Sequence, residues 1–199
     1  MTITYIVNQS LYVNVTNKCS NRCDFCVRNG HDSVNEGDNL WLEREPTKQE
    51  ILEDIEKRDI NSFKELCFCG FGEPTYRIRD IAWVLEHLKG KIKIPVRINT
   101  NGHANRINGE DVTPLFAGLI DICSISLNQK NAIEYDKTCK SIYGLQAFDE
   151  MLDFTQKVKK YVPRVILSVV DTIGEEDVAA CREIAQKMQV EFRVRTMIQ

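Results

Sequence analysis

Short apolar runs alternate with longer amphipathic stretches along the chain. The apolar runs predict six strands, at about residues 11–16, 65–69, 94–99, 121–127, 164–170 and 191–197. The helical periodicity between them predicts helices at about 47–58, 79–89, 141–160 and 175–188. A capping box of Thr47 and Glu50 marks the start of the first helix, because each side chain can bond the backbone amide of the other residue.

This alternation of strand and helix favours a parallel sheet with helices packed outside it. A closed eightfold barrel typically needs about 250 residues, whereas this chain has 199. The predicted fold class is therefore α/β, an open partial (β/α)6 TIM-type barrel with parallel strands. We expect a single domain over residues 1–199, without an auxiliary domain.

Polar and apolar side chains occupy opposite faces of most predicted strands, because residues two apart share a face. In the third predicted strand, for example, Val96 and Ile98 oppose Arg97 and Asn99. Only the strand at 164–170 is apolar on both faces. If the apolar faces pack on the helices, the polar faces line the barrel interior. Ordinary barrel interiors are filled by bulky branched side chains, so a polar lining predicts a cavity that holds a ligand.

Composition and charge exclude several classes of protein. The chain has 26 basic and 29 acidic residues, a net charge of −3, which predicts no strong affinity for polyanions or anionic membranes. No segment approaches the roughly 18 consecutive apolar residues of a membrane span, and the first ten residues lack the features of a secretory signal. We therefore predict a cytoplasmic protein without a membrane partner, whose eight cysteines remain reduced.

Three of the cysteines, Cys19, Cys23 and Cys26, form a C-x3-C-x2-C cluster directly after the first predicted strand. Three close thiolates suit three irons of a cubane cluster and leave the fourth iron without a protein ligand. An open metal position is typical of catalysis, whereas a structural site usually closes its coordination with a fourth residue. The alternatives are a zinc site, for which His31 is an available fourth ligand, and unrelated buried thiols.

A second motif, Cys69-Gly-Phe-Gly-Glu-Pro-Thr75, follows the second predicted strand. Glycines let a backbone approach a ligand closely, and Pro74 fixes the turn that follows. Taken alone, the motif indicates a turn after a buried strand. Its place after the cysteine cluster favours a binding loop.

The two motifs, in this order, resemble those of the radical S-adenosylmethionine (radical SAM) superfamily, including an aromatic residue, Phe25, just before the last cysteine. The second motif resembles the Gly-Gly-Glu-Pro loop of that family, with Phe71 inserted between the glycines. The resemblance implies a [4Fe-4S] cluster on the three cysteines, with S-adenosylmethionine chelated at the free iron. It also implies reductive cleavage to a 5′-deoxyadenosyl radical that abstracts hydrogen from a substrate, and a low-potential electron donor such as a flavodoxin or ferredoxin.

The same resemblance implies which residues bind S-adenosylmethionine. The backbone of the glycine motif would take the methionine amino group, polar strand ends would contact the nucleoside or methionine parts, and an apolar strand residue would contact adenine. The implied residues are Phe25, Gly70, Phe71, Gly72, Glu73, Pro74, Asn99, Ser126 and Val169. For Asn99 and Ser126 the alternative is a polar strand end, and for Val169 and its neighbour Val170 it is core packing.

Within the superfamily, the chain is similar to the small proteins associated with TatD-type nucleases. This similarity rests on the short length, on Asn-Leu-Trp-Leu at 39–42 and on Val-Val-Asp-Thr-Ile-Gly at 169–174. It leaves the substrate open, and a short open barrel favours a large substrate, such as a protein or RNA, or closure by a partner. The competing hypothesis is a non-catalytic iron–sulfur or zinc module for electron transfer or interaction, which would need neither the glycine motif nor a polar interior.

Three arginines, Arg97, Arg193 and Arg195, lie on polar strand faces. A buried guanidinium needs a carboxylate or phosphate partner. We therefore predict an anionic substrate anchored by Arg193 or Arg195, with Arg97 nearer the cofactor. The alternative is that Arg193 and Arg195 face outward along a sheet edge.

Two further features each have two interpretations. Cys67 and Cys69 share a strand face beside the glycine motif, where packing is the favoured role and a reactive thiol the alternative. The stretch 29–39, with His31 and the nearby Trp41, is either a substrate-facing loop or an exposed connection without a role.

Overall fold

The computed structural model describes residues 1–33 and 39–197 of the chain, so residues 34–38 of the candidate substrate-facing loop lie outside the described part. The strands are Thr4–Val7 (β1), Ser10–Val13 (β2), Leu66–Phe68 (β3), Val96–Thr100 (β4), Ile122–Ser126 (β5), Arg164–Val170 (β6) and Glu191–Arg195 (β7). The α-helices are Lys48–Glu56 (α1), Ile78–Leu88 (α2), Ala104–Asn108 (α3), Ala132–Cys139 (α4), Gln146–Val158 (α5) and Glu175–Met188 (α6).

All seven strands form one sheet in chain order, from β1 at one edge to β7 at the other. Every neighbouring pair from β2 to β7 is parallel. The two edge strands do not meet, so the described chain forms an open barrel rather than a closed one. The predicted open partial (β/α)6 barrel is confirmed, with one antiparallel strand added to it.

That added strand, β1, is absent from the strands that the sequence predicts. It pairs antiparallel with β2, with Thr4 opposite Val13. The connecting turn places Asn8 and Gln9 at φ values of 48° and 68°, the positive range that two-residue hairpin turns of type I′ require. Asparagine adopts this conformation readily but glutamine does not, so the sequence carries only half of the usual hairpin signal.

The apolar strand faces pack against the helices, as the alternation predicts. Leu11, Phe68 and Ile98 have no exposed surface and belong to the main hydrophobic core. Helices α1 and α2 complete this core with Ile55 and Ile81, which are also fully buried. Each such side chain stabilises the fold by about 1.5–3 kcal/mol relative to exposure. The opposite strand faces are thereby left to line the barrel interior.

The helices follow the sequence pattern with three differences. The predicted capping box is confirmed, since the Glu50 amide donates to Thr47 Oγ1 at 3.2 Å and the Thr47 amide donates to Glu50 Oε2 at 2.8 Å. Helix α5 begins at Gln146 rather than near residue 141, after a turn that includes Gly144 at a φ of 59°. Helices α3 and α4 are not predicted, and the last residues of α4 support the candidate site. No helix in the described ranges is long and apolar enough to cross a membrane.

Candidate cofactor site

The three clustered cysteines lie on an irregular loop after β2, here called the cysteine loop (residues 17–29). Turns shape its second half, because the Cys26 amide donates to the Cys23 carbonyl at 3.2 Å and the Asn29 amide donates to the Cys26 carbonyl at 2.9 Å. All eight cysteines are free thiols. Cys19, Cys23 and Cys26 are half-buried, whereas Cys67, Cys123, Cys139 and Cys181 are buried. The three motif thiols are therefore accessible together on one loop.

The C-terminal end of α4 supports the cysteine loop from below. The Arg22 amide donates to the Cys139 carbonyl at 2.8 Å, and the Asp24 amide donates to the Thr138 carbonyl at 3.0 Å. Lys140, just after the helix, forms an ion pair with Asp24. These carbonyls are the ones that a helix end leaves without intrahelical partners, so the loop satisfies them while being held in place.

The cysteine loop is also tied to the glycine loop (residues 70–74). The Glu73 amide donates to the Lys18 carbonyl at 2.7 Å. Arg28 donates to the carbonyls of Asn17 at 3.3 Å, Asn21 at 3.2 Å and Phe71 at 3.4 Å, and so joins both loops. The two sequence motifs therefore form one structural unit. Neither motif indicates a role for Arg28.

The glycines of this loop are required by contacts within the protein. A Cβ on Gly72 would lie 2.2 Å from the Thr16 carbonyl oxygen and 2.7 Å from that of Lys18. A Cβ on Gly70 would lie 2.1 Å from Oδ1 of Asn14. The sequence predicts close approach of this backbone to a ligand; in the structure, Gly72 also closely approaches the backbone that leads into the cysteine loop.

Glu73 is buried, and its side chain is fully engaged inside the protein. Its Oε1 accepts from the Thr75 hydroxyl at 2.6 Å and the Thr100 hydroxyl at 2.7 Å, and its Oε2 accepts from the Asn101 amide at 2.7 Å. Burial raises the pKa of this carboxyl group, while the hydrogen bonds act in the opposite direction. The side chain thus fastens the glycine loop to the end of β4. The predicted contact of Glu73 with a cofactor would therefore involve its backbone rather than its side chain.

The inserted Phe71 packs in a second, smaller hydrophobic cluster with Tyr5 and Leu40. Its side chain is 3% exposed, and its ring lies edge-on to Trp41 with 5.1 Å between centroids. The segment 39–42 therefore covers the glycine loop. The side chain of Phe71 is a packing element, so a cofactor contact by this residue also rests on its backbone.

A hydrogen-bonded chain of side chains runs from β4 to the first cysteine. His103 is 1% exposed, and its Nε2 lies 3.0 Å from the Ala147 carbonyl oxygen. This contact places the proton on Nε2, so Nδ1 accepts from the Ser20 hydroxyl at 3.1 Å. Asn101 donates to Ser20 Oγ at 2.8 Å and lies 3.9 Å from the sulfur of Cys19. His103 does not stand out in the sequence, because no motif surrounds it.

We expect this histidine to make the fold sensitive to acid. Burial lowers the pKa of His103 from 6.5 to about 4. Between these values the unfolded chain binds the proton and the folded chain does not, so stability falls as the pH falls through this window. The contribution amounts to about 2 kcal/mol between pH 7 and pH 5. Urea unfolding at both pH values should show this loss in the native protein and a smaller loss in His103→Gln.

The control for this prediction is His87→Gln, which replaces an exposed histidine of α2. The stability of His87→Gln should show the same pH dependence as that of the native protein. An identical pH dependence in His103→Gln and the native protein would contradict the assignment of a neutral buried His103.

The donor set of the cysteine loop fits an iron–sulfur cubane. The Asn21 amide donates to Cys19 Sγ at 3.5 Å, a contact of the kind that tunes cluster thiolates. Burial raises the pKa of Cys19 to about 12 and also raises the pKa of Cys26. A hydrogen bond to the Cys139 thiol, followed by burial, raises the pKa of Cys23. The free thiols are therefore protonated near neutral pH, and metal binding must release these protons.

The same loop does not fit a single zinc ion. Among residues 1–33 and 39–197, no group of three or more His, Cys, Asp or Glu side chains is arranged around one metal position. Zinc in structural sites needs four ligands at about 2.0–2.3 Å from one ion, whereas each thiolate of a cubane binds a different iron. His31, the candidate fourth ligand, is exposed. This geometry disfavours the zinc alternative.

The other predicted cofactor residues lie in different surroundings. Asn99 and Ser126 are half-buried on the polar faces of β4 and β5. Phe25 is half-buried and packs against the main core. Val169 has no exposed surface and is part of the main core on the helix side of β6, so its environment matches the packing alternative. Its neighbour Val170 falls on the opposite strand face and outside that cluster.

Arg97 departs from its predicted place near the cofactor. Its Nη2 lies 2.7 Å from Glu65 Oε1 and donates to the Tyr12 hydroxyl at 3.0 Å. Glu65 directly precedes β3, at the end of the sheet opposite the cysteine loop. The guanidinium is therefore neutralised inside the protein, away from the cysteine loop, whereas the sequence predicts Arg97 nearer the cofactor.

The remaining arginines and thiols of the polar strand faces differ in how exposed they are. Arg193 is exposed, as the edge alternative predicts, whereas Arg195 is half-buried. Cys67 is buried on the face shared with Arg97, and burial raises its pKa well above the usual value, as expected for a packing thiol. Cys69 is more open, and a hydrogen bond from Asn99 partly offsets the rise in its pKa that burial causes.

Comparison with known proteins identifies the family. The family model for the Radical SAM superfamily matches residues 13–186. A probable GTP 3′,8-cyclase of Thermococcus kodakarensis is 27% identical over 168 residues, which cover 84% of this chain and 49% of that protein. A probable GTP 3′,8-cyclase of Methanocaldococcus jannaschii is 32% identical over 94 residues, 47% of this chain and 28% of that protein. The chain thus spans less than half the length of both relatives.

Solved structures share the fold. Streptococcus suis SuiB, crystallised with S-adenosylmethionine, matches with a TM-score of 0.65 at 16% identity, over 95% of this chain and 38% of SuiB. Methylornithine synthase (PylB) matches with a TM-score of 0.60 at 15% identity, over 94% of this chain and 53% of that protein. At these identities the likeness concerns the architecture alone.

Proposed function

This chain belongs to the radical SAM superfamily, and on that premise we propose that it is an enzyme that cleaves S-adenosylmethionine reductively at a [4Fe-4S] cluster. Cys19, Cys23 and Cys26 would hold three irons of the cluster. When bound, the cluster and S-adenosylmethionine supply a radical that abstracts a hydrogen atom from a substrate.

The hydrogen bonds between the cysteine loop and the glycine loop are the observation that supports this proposal. The Glu73 amide is bonded to the Lys18 carbonyl, and Arg28 bridges both loops. The glycine loop is thereby fixed beside the thiols that would hold the cluster. A cofactor that must touch both an iron and a backbone loop requires this neighbourhood, whereas an electron carrier needs the cysteines alone.

The chain's own residues have distinct tasks in this proposal. Asn21 and Asn101 direct N–H groups at the sulfur of Cys19, which stabilises negative charge on a bound thiolate. Glu73 keeps the glycine loop in register with the end of β4. Asn99 and Ser126, on polar strand faces, are placed to hydrogen-bond the sugar or carboxylate of S-adenosylmethionine.

The decisive experiment is anaerobic reconstitution with iron and sulfide, followed by addition of dithionite and S-adenosylmethionine. We expect 5′-deoxyadenosine to form and to depend on the loaded cluster. Cys181→Ala, which alters a buried thiol of α6, should retain this activity and serves as the control. A fully loaded protein that produces no 5′-deoxyadenosine would favour the non-catalytic module instead.

A purine nucleotide is a specific candidate for this substrate. It is favoured by the match of 84% of this chain to a probable GTP 3′,8-cyclase. Adding GTP to the same assay tests it, because a substrate should increase the rate of 5′-deoxyadenosine formation and be consumed with it. A rate that GTP leaves unchanged would remove this candidate without affecting the cleavage assignment.

The partners in this proposal follow from the chemistry and from the sequence. The electron donor would be a low-potential flavodoxin or ferredoxin, and the substrate a protein, an RNA or a smaller anion. We also propose association with a TatD-type nuclease, on the segments 39–42 and 169–174. Eight free thiols suit the reducing cytoplasm. Co-purification with a tagged TatD-type protein from an anaerobic extract would test the association.

A further inference from the structure

On the interior face of β7, Arg195 has a largely buried guanidinium whose charge the described protein does not neutralise. Ion pairs in residues 1–33 and 39–197 include Arg97, bound to Glu65, and Arg164, bound to Glu191. Neither Arg193 nor Arg195 forms one. The Nε of Arg195 is buried without a hydrogen-bond partner in the described chain. Its Nη2 has only a long contact, 3.5 Å, with Oδ1 of Asn128.

Such an arrangement is costly unless a ligand completes it. A buried, unpaired N–H group loses its hydration without recovering a hydrogen bond. Burial lowers the pKa of Arg195, and the neighbouring charge of Arg193 lowers it further, whereas Cys69 raises it. Arginine nevertheless stays charged in proteins. The fold therefore maintains a desolvated positive charge at this place.

Arg195 also lies beside the cofactor site. It is the last residue of β7 and pairs with Val170 at the end of β6, on the side of the sheet where the cysteine loop lies. Asn128 connects it to the cysteine loop, because the Asn128 amide group donates to Cys139 Sγ at 3.5 Å and the Cys139 carbonyl accepts from the Arg22 amide at 2.8 Å. Asn128 and Cys139 therefore link the guanidinium to the loop that carries the cluster ligands.

We propose that Arg195, assisted by Arg193 two residues earlier on the same strand face, binds a carboxylate or phosphate group of the substrate. This inference rests on the proposed function, since it states that the substrate of that same site is an anion. A guanidinium fork binds such groups with two parallel hydrogen bonds and so fixes their orientation. Held in this way, the substrate would present its carbon–hydrogen bond beside the cluster rather than drift in an open barrel.

The test uses cluster-loaded protein, saturated with S-adenosylmethionine and kept without reductant, so that the carboxylate of the cofactor occupies its own place. Pyrophosphate and succinate serve as probes of the two anion classes in anaerobic calorimetry. We expect at least one of them to bind the native protein and to bind Arg195→Gln about tenfold or more weakly. Unchanged affinity in Arg195→Gln, or no binding of either probe to the native protein, would overturn the proposal.

Arg164→Gln is the matched control, because it removes an exposed arginine from the other end of the neighbouring strand β6. It should bind both probes as the native protein does. Arg195→Lys keeps the charge but not the fork, so it provides a folded variant if Arg195→Gln fails to load its cluster. It should bind succinate more weakly than the native protein, and equal binding would contradict a role for the fork.

The cofactor itself is the other possible source of the anion. Affinity for S-adenosylmethionine, measured without probes, should change less than about twofold in Arg195→Gln. A large loss of this affinity would assign Arg195 to the carboxylate of the cofactor and overturn the substrate assignment. The two proposals can fail separately. If the native protein binds a probe that Arg195→Gln does not bind, but forms no 5′-deoxyadenosine, the proposed function fails while the anion site stands.

Discussion

Replacement of Cys23 by alanine is expected to abolish both the visible absorbance of the reconstituted cluster and the formation of 5′-deoxyadenosine. Two thiolates remain on the cysteine loop in this variant, and a cubane held by three protein ligands cannot be retained at two without a substitute. Iron and sulfide content, absorbance and 5′-deoxyadenosine should therefore fall together to the background of the unreconstituted protein.

The structure supplies one possible substitute ligand, and the control addresses it. Cys139, a neighbour of Cys23 that contributes to its raised pKa, has no exposed surface. Cys139→Ala should keep its cluster and its activity, whereas the double variant should match Cys23→Ala. If Cys23→Ala retained cluster and activity while the double variant lost both, Cys139 would be able to replace the missing ligand. Retention in all three variants would refute the assignment of the motif cysteines.

Replacement of Gly72 by alanine is expected to destabilise the protein and to impair cluster loading. The added Cβ would lie 2.2 Å from the Thr16 carbonyl oxygen, which belongs to the backbone and cannot rotate away. Accommodating it must move the start of the cysteine loop. Overpacking of this kind costs about 1–3 kcal/mol or more, and the displaced thiols should bind less iron. Thermal unfolding and iron content of the reconstituted variant measure the two effects.

Gly109→Ala separates this clash from the general cost of replacing a glycine. Gly109 has a φ of 70° and open space around its Cβ position, so alanine there costs only left-handed strain, about 1–2 kcal/mol. It should leave iron content unchanged. Normal cluster loading in Gly72→Ala would show that the glycine loop and the cysteine loop are not mechanically coupled.

The features that could be predicted from the sequence are those that short-range patterns determine. The alternation at 94–99 assigns Ile98 to the core because a strand side chain must face one side or the other. Likewise, the cysteine spacing and the glycine motif are local, so they identify the candidate site without knowledge of the fold.

The features that could not be predicted depend on contacts between distant segments. Arg97 forms an ion pair with Glu65 only because β3 and β4 are neighbours in a particular register. The motif around Glu73 does not reveal that its carboxylate reaches Thr100, the last residue of β4, and Asn101 just after it. Helix α4 has only two buried residues in eight, too few for a clear period, and its importance lies in the loop that rests on its end.

The many bonds that hold the cysteine loop bear on how the protein acquires its metal. In small zinc domains the ligand loop has no structure before the ion arrives, so metal affinity must supply the free energy of folding. Here the main chain of Arg22, Asp24 and Lys18 is bonded to α4 and to the glycine loop through contacts in which no thiol takes part. These contacts supply part of the free energy that orders the loop, so the metal does not have to supply all of it.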